Sequence, residues 1–337
     1  MYLNTRRGFL VHTLAGAATL ASGLPAFAED ESVTLYSGQH RSTTEAAVAA
    51  FTKASGVKVT TRQGESSQLS NQIIEEGANS PADVFYSEQS PPLMALDEKG
   101  LLAEAEAATL SQIPAAFASA KKTWIGTCMR VRVLAYNKAM LTQADLPASI
   151  LDVATPQWRG KIGYVTRDGF QEQILAINKL KGREAALNWL KGLKEQGKLY
   201  NGNGAAMKAV EAGEIAAALT NNYYWFALAK ETGADKMKSA LHYFPSGDAG
   251  ALINLSPAAV LRTSKKQALG QKLLAFLVSE AGQTAIMATS AEYPVRAGMT
   301  SPFPLKPLSE LGVTAATADE IGGGALAYAL EREAGMI

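Results

Sequence analysis

From residue 32 onward, short β-branched runs alternate with stretches whose apolar residues recur at helical spacing. Ser32 to Tyr36 reads as a strand. Ser42-Thr43-Thr44-Glu45 has the form of a capping box, opening a helix that runs through Phe51 and stops at Gly56. A second strand follows at Val57 to Thr61. Ser66 or Ser67 can cap the next helix, in which Leu69, Ile73 and Ile74 share a face before Gly77, and Asp83 to Tyr86 gives a third strand. Strands alternating with helices predict an α/β sheet covered on both faces, with ligands gathering beyond the carboxyl ends of the strands. His40 and Glu88 each fall just past such an end.

Two longer runs interrupt this rhythm. Trp124 to Asn137 and Ala251 to Leu261 are extended enough to leave one lobe and enter another. Between them lies a second α/β unit: a strand at Lys161 to Val165, helical stretches from Gln171 to Gln196, a strand at Ile215 to Leu219, and a helix from Tyr223. Lys265 to Thr289 is helical again, and the Ala-rich stretch Ala103 to Ala120 is helix-prone with a break at Pro114. With two crossings neither lobe is continuous in sequence, which is the layout of a hinged clamshell. The expected organisation is α/β and two-lobed, each lobe a mixed sheet flanked by helices and the two joined by hinge strands. Residues 29–129 with 255–305 would form the N-lobe, and residues 130–254 with 306–337 the C-lobe.

Composition narrows the function. A net charge of +1 gives no basic field for nucleic acid or anionic lipid, so a small or metallic partner fits better. The first 28 residues read as an export signal, with Arg6 and Arg7, an Ala/Leu/Gly-rich stretch, and Ala26-Phe27-Ala28 before Glu29. Cleavage after Ala28 would leave no membrane span. Thr5-Arg6-Arg7-Gly8-Phe9-Leu10 also has the form of a twin-arginine motif, whose machinery exports folded proteins; an ordinary secretory segment is the alternative. The single cysteine, Cys128, allows no intramolecular disulfide and reads as a buried small hydrophobe. There is no G-x-S-x-G elbow and no His-x-x-x-His pair, which argues against a secreted hydrolase.

Thr220-Asn221-Asn222-Tyr223-Tyr224-Trp225 follows one predicted strand and opens a predicted helix. On the first turn of a helix, two adjacent tyrosines can turn both hydroxyls toward one point, as they cannot on a strand. A paired phenolate site suits ferric ion, a small, hard, triply charged cation able to ionise a phenol of pKa about 10 near neutral pH. Aromatic packing, or stacking on an organic ligand such as a polyamine, phosphonate or sugar, is the alternative use of the same residues.

Tyr36-Ser37-Gly38-Gln39-His40, Ser80-Pro81-Ala82-Asp83-Val84-Phe85-Tyr86-Ser87-Glu88-Gln89 and Asn221-Asn222-Tyr223-Tyr224-Trp225 together resemble the metal-site segments of the periplasmic ferric-iron-binding proteins, or bacterial transferrins. Ala154-Thr155-Pro156, Ile162-Gly163-Tyr164-Val165 and Glu292-Tyr293-Pro294 extend the resemblance along nearly the whole mature chain. It implies the periplasmic binding protein clamshell and a monomeric iron carrier, not an enzyme, that serves an inner-membrane ABC permease. It further implies that His40, Glu88, Tyr223 and Tyr224 ligate Fe³⁺, with phosphate, carbonate or water completing the coordination. The anion pocket would draw on Gln89, Asn203 and Asn221, on the turn at Arg167 and Gly169, and on Arg130, the last either an anion partner or a hinge arginine. The Arg167-Asp168-Gly169 turn departs from the Ser-Gly-Ala of phosphate-binding relatives, which leaves the anion open. Tyr36 and Tyr164 read as sheet residues, with Tyr164 the weaker further candidate for iron.

Overall fold

A computed structural model describes residues 32–166, 169–311 and 318–337. The export signal and Arg167 lie outside the described residues. Among those described, no helix is long and apolar enough to cross a membrane.

The chain opens as the alternation predicts, with β1 (Ser32–Ser37), α1 (Arg41–Ser55), β2 (Lys58–Gln63), α2 (Ser66–Glu76), β3 (Val84–Tyr86) and α3 (Ser90–Glu98). Strands β2, β1 and β3 pair in parallel. Thr43, Thr44, Ala47 and Phe51 turn the inner face of α1 to the core, and Gly56, in the left-handed region at φ 75°, ends the helix by donating to the Thr52 carbonyl. Neither helix starts as expected. His40 is the N-cap of α1, so Ser42 lies inside the first turn with no capping bond, and Glu65 precedes α2, which frees the Ser66 hydroxyl for another partner. The Ala-rich stretch is also mostly irregular, holding only the four residues of α4 (Ala107–Leu110) and a 3-10 turn at Ala115–Phe117. Propensity alone does not hold a helix that has little apolar face to bury.

β4 (Ile125–Asn137) is buried at nearly every position. After it come β5 (Ile162–Tyr164), α5 (Phe170–Lys181), α6 (Arg183–Gln196), β6 (Lys198–Leu199), α7 (Asn203–Ala212), β7 (Ala217–Asn221), α8 (Asn222–Thr232) and β8 (Ser239–His242). Gly182, at φ 90°, divides the helical region expected from Gln171 to Gln196 into α5 and α6. β9 (Ile253–Val260), α9 (Gln267–Leu277), α10 (Glu280–Met287), β10 (Tyr293–Pro294), α11 (Ala318–Ile321) and α12 (Ala325–Glu333) complete the described chain. Ser279 caps α10 through its side chain, and this divides the predicted 265–289 helix.

The described strands form one continuous ladder, β2-β1-β3-β9-β4-β7-β5-β6, with β8 and β10 also on β4. Its two halves share β4, whose residues up to Val131 pair with β9 and from Arg132 onward with β7. β9 begins at the same level, Ile253 facing Val131. Each half has its own core. Val33, Phe51, Phe85, Leu96 and Leu273 belong to the first, and Leu134, Phe170, Ile174, Trp189 and Leu219 to the second. Leu308 and Leu311 pack on the first core, whereas Leu330 and Ala334 of the same C-terminal segment pack on the second. The result is a two-lobed mixed α/β molecule in which β4 and β9 pass between lobes.

Candidate metal centre

His40, Glu88 and the Tyr223-Tyr224 pair follow the carboxyl ends of β1, β3 and β7, the first two strands in one lobe and the third in the other. The local sequence fixes each. Gly38 lets two segments touch, since a Cβ there would lie 2.1 Å from the Ser66 Oγ and 2.6 Å from the Ser66 Cα. That approach brings the Ser66 hydroxyl to the Glu88 amide, from which it accepts a bond at 3.0 Å, while Ser256 donates to the Glu88 carbonyl at 2.9 Å. The buried Gln39 side chain accepts from the His40 amide at 2.8 Å, and its own carbonyl accepts from Gln63. Both first-lobe donors are thus held by their backbones.

On the second lobe, Asn221 is the N-cap of α8, and Asn222 occupies its first turn, fully buried. The Asn222 side chain accepts from the Val131 amide at 2.9 Å and donates to the Ala291 carbonyl at 2.8 Å. This turns the next two residues inward, with the Tyr223 and Tyr224 ring centroids 4.4 Å apart.

These groups converge across the lobes. The Tyr223 hydroxyl donates to Glu88 Oε1 at 3.4 Å, His40 Nε2 lies 3.8 Å from that same oxygen, and the His40 and Tyr223 rings meet edge-on at 5.1 Å. His40, Glu88 and Tyr224 line a polar cleft of about 520 Å³ together with Gln39, Gln63 and Glu65. Around a small octahedral cation with bonds of about 2 Å, neighbouring donors stand roughly 3 Å apart, so the Tyr223–Glu88 and His40–Glu88 separations need to contract by less than about an ångström. Among the described residues no three His, Cys, Asp or Glu side chains come together, so a cation held here draws on phenolic oxygen.

Burial raises the Tyr223 phenol well above its ordinary value, and Glu88 and Tyr224 push it further, while Arg130 opposes them. The fully buried Arg130 donates to Ser256 Oγ at 2.7 Å and lies 3.7 Å from Glu172. Burial would lower its pKa, but the surrounding Glu88, Glu172, Tyr223 and Glu292 outweigh this and raise it. Its charge therefore stands behind the donor set and favours the anionic forms that a trivalent cation requires.

The residues expected to take an anion occupy helix starts: Gln89 before α3, Gly169 before α5, Asn203 opening α7 and Asn221 before α8. Helix starts in general attract anions, although at α3 the Gln89 and Ser90 amides already donate to the Ser87 hydroxyl and to Glu172. Gly169 and Asn221 come together with an arginine that sequence reasoning passed over. A Cβ on Gly169 would lie 3.2 Å from Arg132 Cδ and 3.4 Å from Asn221 Oδ1, which itself accepts from Arg132 at 3.2 Å. Arg130 and Arg132 stand two residues apart on β4, and the period of two that puts them on one face is the signal that could have found Arg132 beside Arg130. Glu172 and Glu292, both buried, were missed as well; Glu292 sits in a matched segment but carries no pattern of its own. Tyr36 and Tyr164 serve the fold, the former bonded to Glu76 at 3.2 Å and the latter stacked on Phe170.

The family model of the bacterial extracellular solute-binding proteins matches residues 46–308. Over 326 residues the chain is 44% identical to the major ferric iron-binding protein of Neisseria meningitidis serogroup A, covering 95% of this chain and 97% of that protein. The chain belongs to the periplasmic ferric-iron-binding proteins. Within that family it is also 38% identical to the Fe(3+)-binding periplasmic protein of Serratia marcescens, covering 89% of this chain and 90% of that one. The fold of this ferric-binding family member matches the crystal structure of iron-bound HitA from Pseudomonas aeruginosa with a TM-score of 0.87 at 48% identity, covering 90% of this chain and 99% of that one.

Proposed function

We propose that this protein captures ferric iron in the periplasm and delivers it to an ABC-type importer in the inner membrane. His40, Glu88, Tyr223 and Tyr224 grip the ion, giving one neutral nitrogen and three anionic oxygens. About two of six positions then remain for an exogenous ligand. Phosphate, carbonate or water would take them at the helix starts of Gly169 and Asn221, beside Arg132, with Gln89, Asn203 and Arg167 as further contacts. Arg130 acts behind the donors as their counter-charge.

The observation that carries this reading is the approach of Tyr223 to Glu88 at 3.4 Å, a contact between residues from opposite lobes. An ion bridging them draws the lobes together and shifts the balance of open and closed forms toward closed. The names of the relatives, ferric-binding in two distinct genera, support the choice of metal. The protein is a carrier in this account and no residue is assigned a catalytic role.

Titration with ferric ion, with and without phosphate or carbonate, tests the proposal. The expected result is one iron per chain with a visible phenolate-to-metal band whose position depends on the anion. Protein that stays colourless with excess ferric salt, or that binds an organic ligand in its place, ends it.

A further inference from the structure

Glu172 is 1% exposed, and nothing in the iron site requires it. It lies in the first turn of α5, on the second lobe. Its Oε1 accepts two bonds from Ser90, from the amide at 3.1 Å and from the hydroxyl at 2.6 Å. Ser90 opens α3 on the first lobe, two residues after Glu88. The other oxygen, Oε2, accepts from Asn254 on β9 and lies 3.7 Å from Arg130 on β4. One carboxylate therefore ties the second lobe to the segment that carries Glu88 and to both strands that pass between the lobes.

The chemistry of this arrangement is demanding. A buried carboxylate is tolerated only when both oxygens are satisfied, and its removal from water is otherwise costly. Here it lies in the first turn of α5, where the helix start favours negative charge, and it takes the Ser90 amide at the start of α3, where Pro91 and Pro92 have no amide to offer. All three of its partner residues, Ser90, Asn254 and Arg130, lie on the other lobe or on the crossing strands, away from the helix that carries it. Separating the lobes would strip away the Ser90 bonds while leaving Arg130 and Asn254 on the hinge.

We infer that Glu172 is a positioning residue for iron retention: it latches α5 to the start of α3, and so holds the closed form and the Glu88 segment without touching the ion. The latch and the iron ligands are then separate devices acting on one equilibrium. The ligands supply affinity for the cation, and the latch sets how often the closed molecule opens to release it. This inference rests on the proposed iron-binding function and deepens it.

Iron-loaded wild type, Glu172→Gln and Ser90→Ala proteins separate the two devices. The amide of Glu172→Gln keeps the shape but loses the charge and one accepting oxygen. Iron release to a competing chelator should quicken about tenfold or more in Glu172→Gln and about threefold in Ser90→Ala. Both should keep one iron per chain and an unshifted visible band, because the ligands are intact. The double variant should release no faster than Glu172→Gln, since both changes cut one connection. X-ray scattering of the iron-free forms should show both variants more open than wild type. If Glu172→Gln does not fold, Ser90→Ala alone decides. Release rates and scattering equal to wild type in a folded variant overturn the inference, as does a lost or shifted band, which would make Glu172 part of the iron site. A wild type that never colours refutes the iron-binding proposal and is recognised before any variant is made.

Discussion

His40 and Glu88 are fastened through their backbones by Gln39, Ser66 and Ser256, whereas Tyr223 and Tyr224 ride on the first turn of a helix steered by one asparagine. The first-lobe pair is fixed by groups of its own lobe and the adjoining strand β9. The second-lobe pair is referenced through Asn222 to Val131 on the crossing strand and to Ala291 beside β10. One half of the centre is prebuilt, and the other is delivered by the hinge. The difference extends to charge, because the delivered half brings the phenols, which must lose protons before they can bind.

The largest expected effect breaks the delivered half. Tyr223→Phe should abolish or strongly shift the visible band and weaken iron binding by at least about a thousandfold, since an anion some 2 Å from a trivalent cation is worth several kcal/mol even at high effective dielectric. His40→Ala removes only a neutral donor whose place water can take, so its loss should be on the order of ten- to a hundredfold with the band retained. Competition titrations against a chelator, read with the spectra, check both. Equal losses from the two variants would erase the distinction between the lobes.

Acidity should act through the same half. With the Tyr223 phenol raised by burial and by Glu88 and Tyr224, the iron-free protein keeps that proton throughout the neutral range. Binding must expel it, so affinity rises with pH and falls on acidification, by at least about tenfold per pH unit for one proton released. Competition titrations between pH 6 and 8 measure the slope. Tyr223→Phe should flatten it by about one proton, and a slope unchanged by that variant would place the released proton elsewhere.

Periodicity and glycine punctuation made β1 to β3, both crossing strands and the Tyr-Tyr helix start legible in the sequence. The pattern of matched segments singled out His40, Glu88, Tyr223 and Tyr224 as a set. What escaped depends on partners distant along the chain. Ser66 looks like a helix cap, yet its hydroxyl holds Glu88, because only the fold brings α2 beside β3. Glu172 looks like an ordinary first-turn acid until α5 meets Ser90 across the cleft. Arg132 and Arg130 differ by two residues, and only the strand's pairing on both edges shows that one meets Asn221 while the other meets Glu172. The Ala-rich segment failed in the opposite sense, its local preference overridden by lack of packing.

A smaller effect probes the prebuilt half. Gly38→Ala would drive a methyl into Ser66, whose Cα lies only 2.6 Å from the new atom. Backbone must shift, at a cost of about 1–3 kcal/mol in stability, as for other overpacked sites. The shift also moves the Ser66 hydroxyl from the Glu88 amide, so iron should bind more weakly with its band unchanged. Thermal unfolding and iron competition measured together check this, and a loss of stability with full affinity would mean that Glu88 is held without Ser66.

The smallest effect comes from the matching change in the second lobe. Gly204 lies in the first turn of α7, in open space, with nothing within 4 Å of an added Cβ and no positive φ. Gly204→Ala should therefore stabilise the protein by about 0.5–1 kcal/mol, chiefly by restricting the unfolded chain. Its neighbour Asn203 is one of the proposed anion contacts, so the same variant asks whether the start of α7 serves the anion through backbone amides that need room. Iron affinity in phosphate equal to wild type, with a raised melting temperature, would show that the added methyl leaves anion binding untouched. A loss confined to phosphate and absent with carbonate would instead mark Gly204 as the place where the second lobe, like Gly38 in the first, keeps a side chain out so that a polar partner can approach.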